Sequence, residues 1–224
     1  MYWFYLFLTL VFLSVFLLYV YRAGLNANGA DWGSRLLNAM DGINRLFCRK
    51  YHRLNESNLS LPESGAAIVV SNHISGLDPM LLLASSPRPL RFLIAREQYE
   101  RFGFTWLFKS VGCIPIDRRK HADNSMRMAI KALKSGEVLA IFPHGKIHLP
   151  TDSPARLKQG AARLAIKAKC PIVPVNLSGV AAQGHVLTPV IFRAHAFLKN
   201  GEAFHVSGME PEAINKKIEA LISE

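Results

Sequence analysis

Acid is scarce in this chain, and so is cysteine. Sixteen Asp and Glu stand against 27 Lys and Arg over 224 residues, a formal net charge of +11 at neutral pH. Such a balance points to anionic partners: nucleic acid, anionic lipid or a phosphorylated substrate. The three cysteines, Cys48, Cys113 and Cys170, are odd in number and far apart, with no Cys-x-x-Cys pair. That excludes a disulfide framework and implies a reducing compartment. No Gly-x-Ser-x-Gly elbow of a serine hydrolase is present. Gly145-Lys146 is not a phosphate-binding P-loop, because no glycine stands five positions before Gly145 and no Ser or Thr follows Lys146. Internal repeats and low-complexity tracts are absent as well. Trp3, Trp32 and Trp106 stand too far apart to form a stacking platform, and no nucleic-acid module is recognisable, so nucleic acid is set aside.

What the chain has in excess is apolar residues, half of the total, concentrated at the N-terminus. Residues 1–21 carry no charge, and only Thr9 and Ser14 are strongly polar. A helix of ~20 residues suffices to cross a bilayer, and Tyr and Trp near both ends suit its interfaces. The stretch has neither the basic start nor the small-x-small site of a cleaved signal peptide. It is read as a membrane anchor, either spanning or held within one leaflet. Arg22, Arg35, Arg45, Arg49, Lys50 and Arg53 follow, against only Asp31 and Asp41. The positive-inside tendency then puts the remaining chain on the cytoplasmic side. Within 22–60, Leu36, Leu37, Met40, Ile43, Leu46 and Phe47 recur at helical spacing, with Arg35, Arg45 and Arg49 off that stripe. Such a basic amphipathic helix either lies among lipid headgroups or packs on the domain that follows.

Residues 61–224 alternate strand-like with helix-like segments and have the length for one core. Strands are expected at Ala66–Val70, Arg91–Ala95, Cys113–Ile116, Val138–Phe142 and Pro171–Leu177, with closing strands at Val190–Leu198 and Ala203–Val206. Helices are expected after most of them, ending with Pro211–Ile222. The pattern predicts an α/β domain, a mostly parallel sheet flanked by helices, whose ligand loops gather at the carboxyl ends of the strands.

The loop after the first of those strands reads Ser71-Asn72-His73-Ile74-Ser75-Gly76-Leu77-Asp78-Pro79. Asp78 before Pro79 suits a helix start, with the carboxylate as a cap and the proline in the first turn. The turn can fold the carboxylate back onto one imidazole nitrogen of His73, fixing the tautomer and leaving the other to take a proton from a hydroxyl. Three further blocks follow: Gly112–Arg118 (GCIPIDR), Ile141–Lys146 (IFPHGK) and Cys170–Val175 (CPIVPV). In order and spacing the four resemble the motifs of the glycerolipid acyltransferases related to 1-acylglycerol-3-phosphate acyltransferase, over Ala66 to Gly179. The resemblance implies direct acyl transfer from acyl-CoA or acyl carrier protein to a lysophospholipid hydroxyl, with no cofactor and no acyl-enzyme. It implies His73 as general base, Asp78 as its orienter, and Arg118 as a forked cation for phosphate. Its favoured acceptor is 1-acylglycerol 3-phosphate, giving phosphatidic acid.

The third block departs from the family pattern Phe-Pro-Glu-Gly-Thr-Arg. Here His144 takes the place of the Glu, Lys146 that of the Thr and Ile147 that of the Arg, while Gly145 keeps the tight turn. His144, Gly145 and Lys146 are the candidate acceptor-binding residues, with His148, Arg156 and Lys158 available to rebuild an anion site. A Glu accepts hydrogen bonds where a Lys only donates, so the altered loop bears on the acceptor more than on the reaction. His144, His148 and His73 lack the Cys or Glu cluster that would make a metal site convincing, and no metal is assigned. Acyl transfer to another lyso-lipid and non-catalytic lipid binding remain the alternatives. Membrane lipid, the lysophospholipid acceptor and the acyl donor are the partners implied.

Overall fold

The computed structural model describes every residue except 56, 102, 104, 118–121 and 224. In chain order come helix α1 (Tyr2–Ala27), α2 (Arg35–Leu46) running into a π-helical turn (Phe47–Tyr51), strand β1 (Ala67–Ser71) and α3 (Asp78–Ser85). Then follow β2 (Leu90–Ala95), α4 (Arg96–Tyr99), α5 (Thr105–Ser110), β3 (Ile114–Ile116), α6 (Ala122–Lys134) and β4 (Val138–Ile141). The chain closes with α7 (Gly160–Ala168), β5 (Ile172–Ser178), α8 (Thr188–Ile191), β6 (Phe197–Asn200) and α9 (Pro211–Ser223).

The strands form one sheet in the order β3-β2-β4-β1-β5-β6, parallel except for β6, which runs antiparallel to β5. The expected α/β architecture is therefore present. β1 is the central strand, and all its residues are buried. A parallel strand covered on both faces must be apolar at every position, so Ala67-Ile68-Val69-Val70 does not alternate with polar residues. Ala67 and Val69 face a layer built with Leu77, Leu81 and Cys48, whereas Ile68 and Val70 face one built with Leu164, Ile214 and Ile218. In α9 the buried Ile214, Ile218 and Ile222 recur every fourth residue. Each such burial stabilises by about 1.5–3 kcal/mol. The three cysteines are free and buried, and burial pushes the Cys48 thiol up to about 12.

α1 is long and apolar enough to cross a bilayer, with a mean hydropathy of 2.3 over its most apolar window, none of which is buried. Its two aliphatic hydroxyls turn inward on the helix itself: Thr9 Oγ1 donates to the Tyr5 carbonyl and Ser14 Oγ to that of Leu10, both at 2.8 Å. Neither then requires water. The base of α1 packs on α2 at small residues. A Cβ on Gly42 would run into the Gly24 carbonyl, and one on Gly24 into that of Ala39.

Several sequence expectations need correction. α1 runs on to Ala27 rather than ending near residue 21, and the amphipathic segment is α2 plus the π turn. α2 packs against α1 and α3, where Asn44 Nδ2 donates to the Met80 carbonyl at 2.9 Å, while Leu36 and Ile43 stay exposed. Arg45, expected on the polar face, is buried. Asp41 Oδ2 accepts from its Nε at 2.8 Å, and the Ala84 and Ser86 carbonyls accept from its two terminal nitrogens. The guanidinium thus satisfies the open carbonyls at the end of α3, which a burying helix terminus requires. Val190–Leu198 is not a strand: α8 begins at Thr188 with Pro189 in its first turn, and pairing starts only at Phe197. Ala203–Val206 contributes a single bridge, Ile172 to Phe204.

Candidate active site

β1 and β4 are neighbours in register, Val70 beside Ile141, so the loops leaving their carboxyl ends emerge side by side. One is the His73 loop, the other the Phe142 loop. His73 Nδ1 lies 2.8 Å from Asp78 Oδ2. The same carboxylate oxygen accepts from the Ile74 amide at 2.7 Å and the Ser75 amide at 2.8 Å, and Ser75 Oγ donates to Oδ1 at 2.6 Å. Asp78 is inaccessible to solvent. A buried carboxylate is tolerated when such donors replace its water. Asp78 therefore does not cap its own helix as the sequence suggested. It reaches back to the preceding loop and leaves the α3 start to the Leu77 backbone.

The imidazole is fixed on its face as well as its edge. The Phe142 ring stacks on it at 4.1 Å with a 17° tilt, and the His73 carbonyl accepts from the His148 amide at 2.8 Å. Asn72 clamps the loop to β5, donating to the Leu177 carbonyl at 2.8 Å and accepting from the Leu177 amide at 2.7 Å. The far side is held by the connection between β5 and β6. Gly184 donates its amide to the Ile74 carbonyl at 2.8 Å and Gly76 donates to the His185 carbonyl at 3.0 Å. Gly76 has to be glycine for this approach, since a Cβ would strike the Val186 carbonyl. With Nδ1 engaged by Asp78, Nε2 is the ring nitrogen turned away from that carboxylate.

Across from it, His144 stacks on His148 at 4.3 Å. Burial lowers the His144 pKa, and the imidazoles of His148 and His73 lower it further. Its Nδ1 is buried and has no hydrogen-bond partner among the described residues. Gly145 turns with φ +73°, a left-handed conformation that glycine adopts freely. The Lys158 ammonium lies over this turn, where a Gly145 Cβ would come within 2.6 Å of Nζ. Lys146 is exposed. His73, Asp78, His144, Gly145 and Lys146 thus come from two adjoining loops. Arg118 lies outside the described residues. Asp117, beside it in sequence, has Oδ2 3.8 Å from Arg96 Nε. Among the described residues no group of three or more His, Cys, Asp or Glu is placed to hold a metal.

The family described as Acyltransferase matches residues 53–178, more than half of the sequence. This chain belongs to the acyltransferase family. The family region contains both loops. A 1-acyl-sn-glycerol-3-phosphate acyltransferase of Bacillus subtilis (strain 168) is 27% identical over 121 residues, covering 54% of this chain and 59% of the relative. A protein described as a probable 1-acyl-sn-glycerol-3-phosphate acyltransferase in Mycoplasma pneumoniae is 32% identical over 131 residues, covering 54% of this chain and 47% of its own length. The chain thus spans about half the length of the curated relatives it matches. Among solved structures it is similar to the 1-acyl-sn-glycerophosphate acyltransferase PlsC from Thermotoga maritima, with a TM-score of 0.61 at 22% identity over 84% of this chain and 80% of that one. At that identity the likeness carries the fold.

Ser75, Asn72 and Phe142 have no role among the expectations from sequence. The signal for Ser75 was its place three residues before Asp78, the spacing at which a hydroxyl and a carboxylate meet across a tight turn. Asn72 and Phe142 left no such local sign, because their partners lie on other strands.

Proposed function

We propose that the chain is a membrane-bound O-acyltransferase moving a fatty acyl group from acyl-CoA or acyl carrier protein to the free hydroxyl of a lysophospholipid. The leading acceptor is 1-acylglycerol 3-phosphate, which would become phosphatidic acid. The observation that carries this reading is the His73 imidazole, held by the buried Asp78 on one edge and by Phe142 on one face. His73 Nε2 takes the acceptor's hydroxyl proton as its oxygen attacks the thioester carbonyl carbon. The tetrahedral oxyanion collapses, the C–S bond breaks, and the imidazolium returns the proton to the leaving thiolate. Asp78 holds the tautomer and offsets the imidazolium charge during the step. Arg118, His144, Gly145 and Lys146 are proposed to bind the acceptor, and no resident cofactor takes part. The catalytic domain sits on the cytoplasmic face, tethered by α1.

One observation favours a second acceptor class. His144 stands where the family pattern that the third block resembles has Glu, and burial favours its neutral imidazole in place of a carboxylate. That suits a lyso-lipid whose headgroup differs from a bare phosphate. The test is acyl transfer by the detergent-purified chain, with a panel of lyso-lipid acceptors and labelled acyl-CoA or acyl carrier protein. Transfer to 1-acylglycerol 3-phosphate that disappears in His73→Ala supports the leading acceptor. Transfer only to another lyso-lipid replaces the acceptor and keeps the chemistry. Lipid binding with no transfer from either donor overturns the enzymatic reading.

A further inference from the structure

The connection between β5 and β6 wears its apolar side chains outward. Ile191, Leu187, Phe192 and Val186 are 68%, 60%, 58% and 53% exposed. Ile191 and Phe192 belong to the expected closing strand Val190–Leu198, yet none of the four covers a core. The segment is tied at two places. Its first half is fastened to the catalytic loop by the Gly184–Ile74 and Gly76–His185 hydrogen bonds. Its second half is fastened to the π turn that continues α2, where Tyr51 Oη donates to the Ile191 carbonyl at 2.5 Å. Since α2 packs on the base of α1, the apolar patch bridges the His73 loop and the partner of the apolar helix. Its charge is of one sign. No Asp or Glu stands anywhere between Asp152 and Glu202, the exposed Arg193 follows Phe192 directly, and the exposed Lys50 and Arg53 neighbour in sequence the Tyr51 that bonds to Ile191. The backbone suits an apolar surrounding too, for Val190 and Phe192 donate their amides to the Leu187 and Thr188 carbonyls of the same short turn.

We propose that this connection is a second bilayer contact, with Val186, Leu187, Ile191 and Phe192 entering the interfacial layer of an anionic membrane. An apolar tip accompanied by cations matches an anionic lipid surface, which buries the tip and neutralises the cations at once. The contact sets the His73 loop beside the layer where a lyso-lipid resides. That last consequence rests on the acyltransferase reading, whereas the docking does not.

The test uses the full chain in vesicles of phosphatidylcholine and phosphatidylglycerol, with a nitroxide attached at Leu187→Cys, at Phe192→Cys, or at the exposed control Ala213→Cys on α9. The native thiols are buried and stay unlabelled. Docking predicts that labels at 187 and 192 collide several-fold more with oxygen and several-fold less with a water-soluble nickel chelate than the label at 213. Equal collision profiles at all three positions overturn the proposal. A drop with both reagents at 187 and 192 also overturns it, since a second protein copy would then cover the patch. Leu187→Asp with Phe192→Asp should cut transfer to a vesicle-resident lyso-lipid at least tenfold while sparing transfer to a monomeric short-chain acceptor. Equal losses on both acceptors argue against docking. Should the parent chain transfer nothing, the enzymatic reading fails and the collision profiles still decide the contact.

Discussion

The loops after β1 and β4 are neighbours built to opposite specifications. In the first, a single buried carboxylate is met by His73, two backbone amides and a serine hydroxyl within 2.6–2.8 Å. In the second, two histidines lie face to face, one ring nitrogen is buried without a partner among the described residues, and a lysine stands exposed at the turn. A network satisfied at every position tolerates little change, because each lost partner strands a buried charge. A loop with spare polar capacity can change its side chains without disturbing the fold. Under the proposed mechanism, proton transfer would be confined to the first loop and recognition left free to vary on the second. The departure of His144 and Lys146 from the family pattern falls where the structure can absorb it.

The contrast predicts a hierarchy of damage. Asp78→Asn should be the most harmful change, lowering kcat by about 10²–10⁴-fold while the chain remains folded. An amide presents one acceptor oxygen to donors that converge on two carboxylate oxygens, and its NH2 can force the wrong imidazole tautomer. Initial rates beside an unchanged helical circular dichroism signal check it; a loss below threefold would equate the two loops. Ser75→Ala removes one charge-assisted bond and leaves the remaining donors. It should cost about 1.5–3 kcal/mol of stability and lower kcat roughly tenfold with KM little changed. Equal falls in kcat and rises in KM would assign Ser75 to substrate binding instead. Gly145→Ala, in the second loop, imposes a side chain at φ +73° and pushes on Lys158. About 1–2 kcal/mol of strain is expected, read as a raised acceptor KM with kcat kept within threefold.

The sheet and the His73 loop were both legible because each leaves a local mark in the sequence. β1, β4 and β5 are apolar at nearly every position because both faces are covered, and a run such as Ala67-Ile68-Val69-Val70 has few alternatives. The His73–Asp78 contact was legible because both groups lie on one turn of chain. Illegible features depend on distant partners. Arg45 looked like a solvated cation, since the Ala84 and Ser86 carbonyls that bury it are far along the sequence. Val190–Leu198 looked like a strand, since apolar composition alone does not separate residues that fill a core from residues left on the surface. The clamp from Asn72 to Leu177 and the stacking of Phe142 on His73 require the strand order, which periodicity does not give.

The smallest effect separates the loops by acid. His144 has a folded pKa lowered chiefly by burial and then by His148 and His73, so folding favours its neutral form. Above the ordinary imidazole value of about 6.5, both folded and unfolded chains hold it neutral and it contributes no pH dependence. As the pH falls through that value, the unfolded chain takes up the proton first, and stability drops with each step toward the folded pKa. His52, buried and likewise lowered by desolvation with only partial opposition from the Val190 backbone, acts in the same direction. Urea unfolding midpoints measured from pH 8 to pH 5 should therefore be flat at first and decline below about 6.5. His144→Gln should make that decline shallower while leaving the pH 8 midpoint nearly unchanged. A decline just as steep in the variant would mean that the stacked pair sheds its proton burden by separating, and that the second loop moves where the first is fixed.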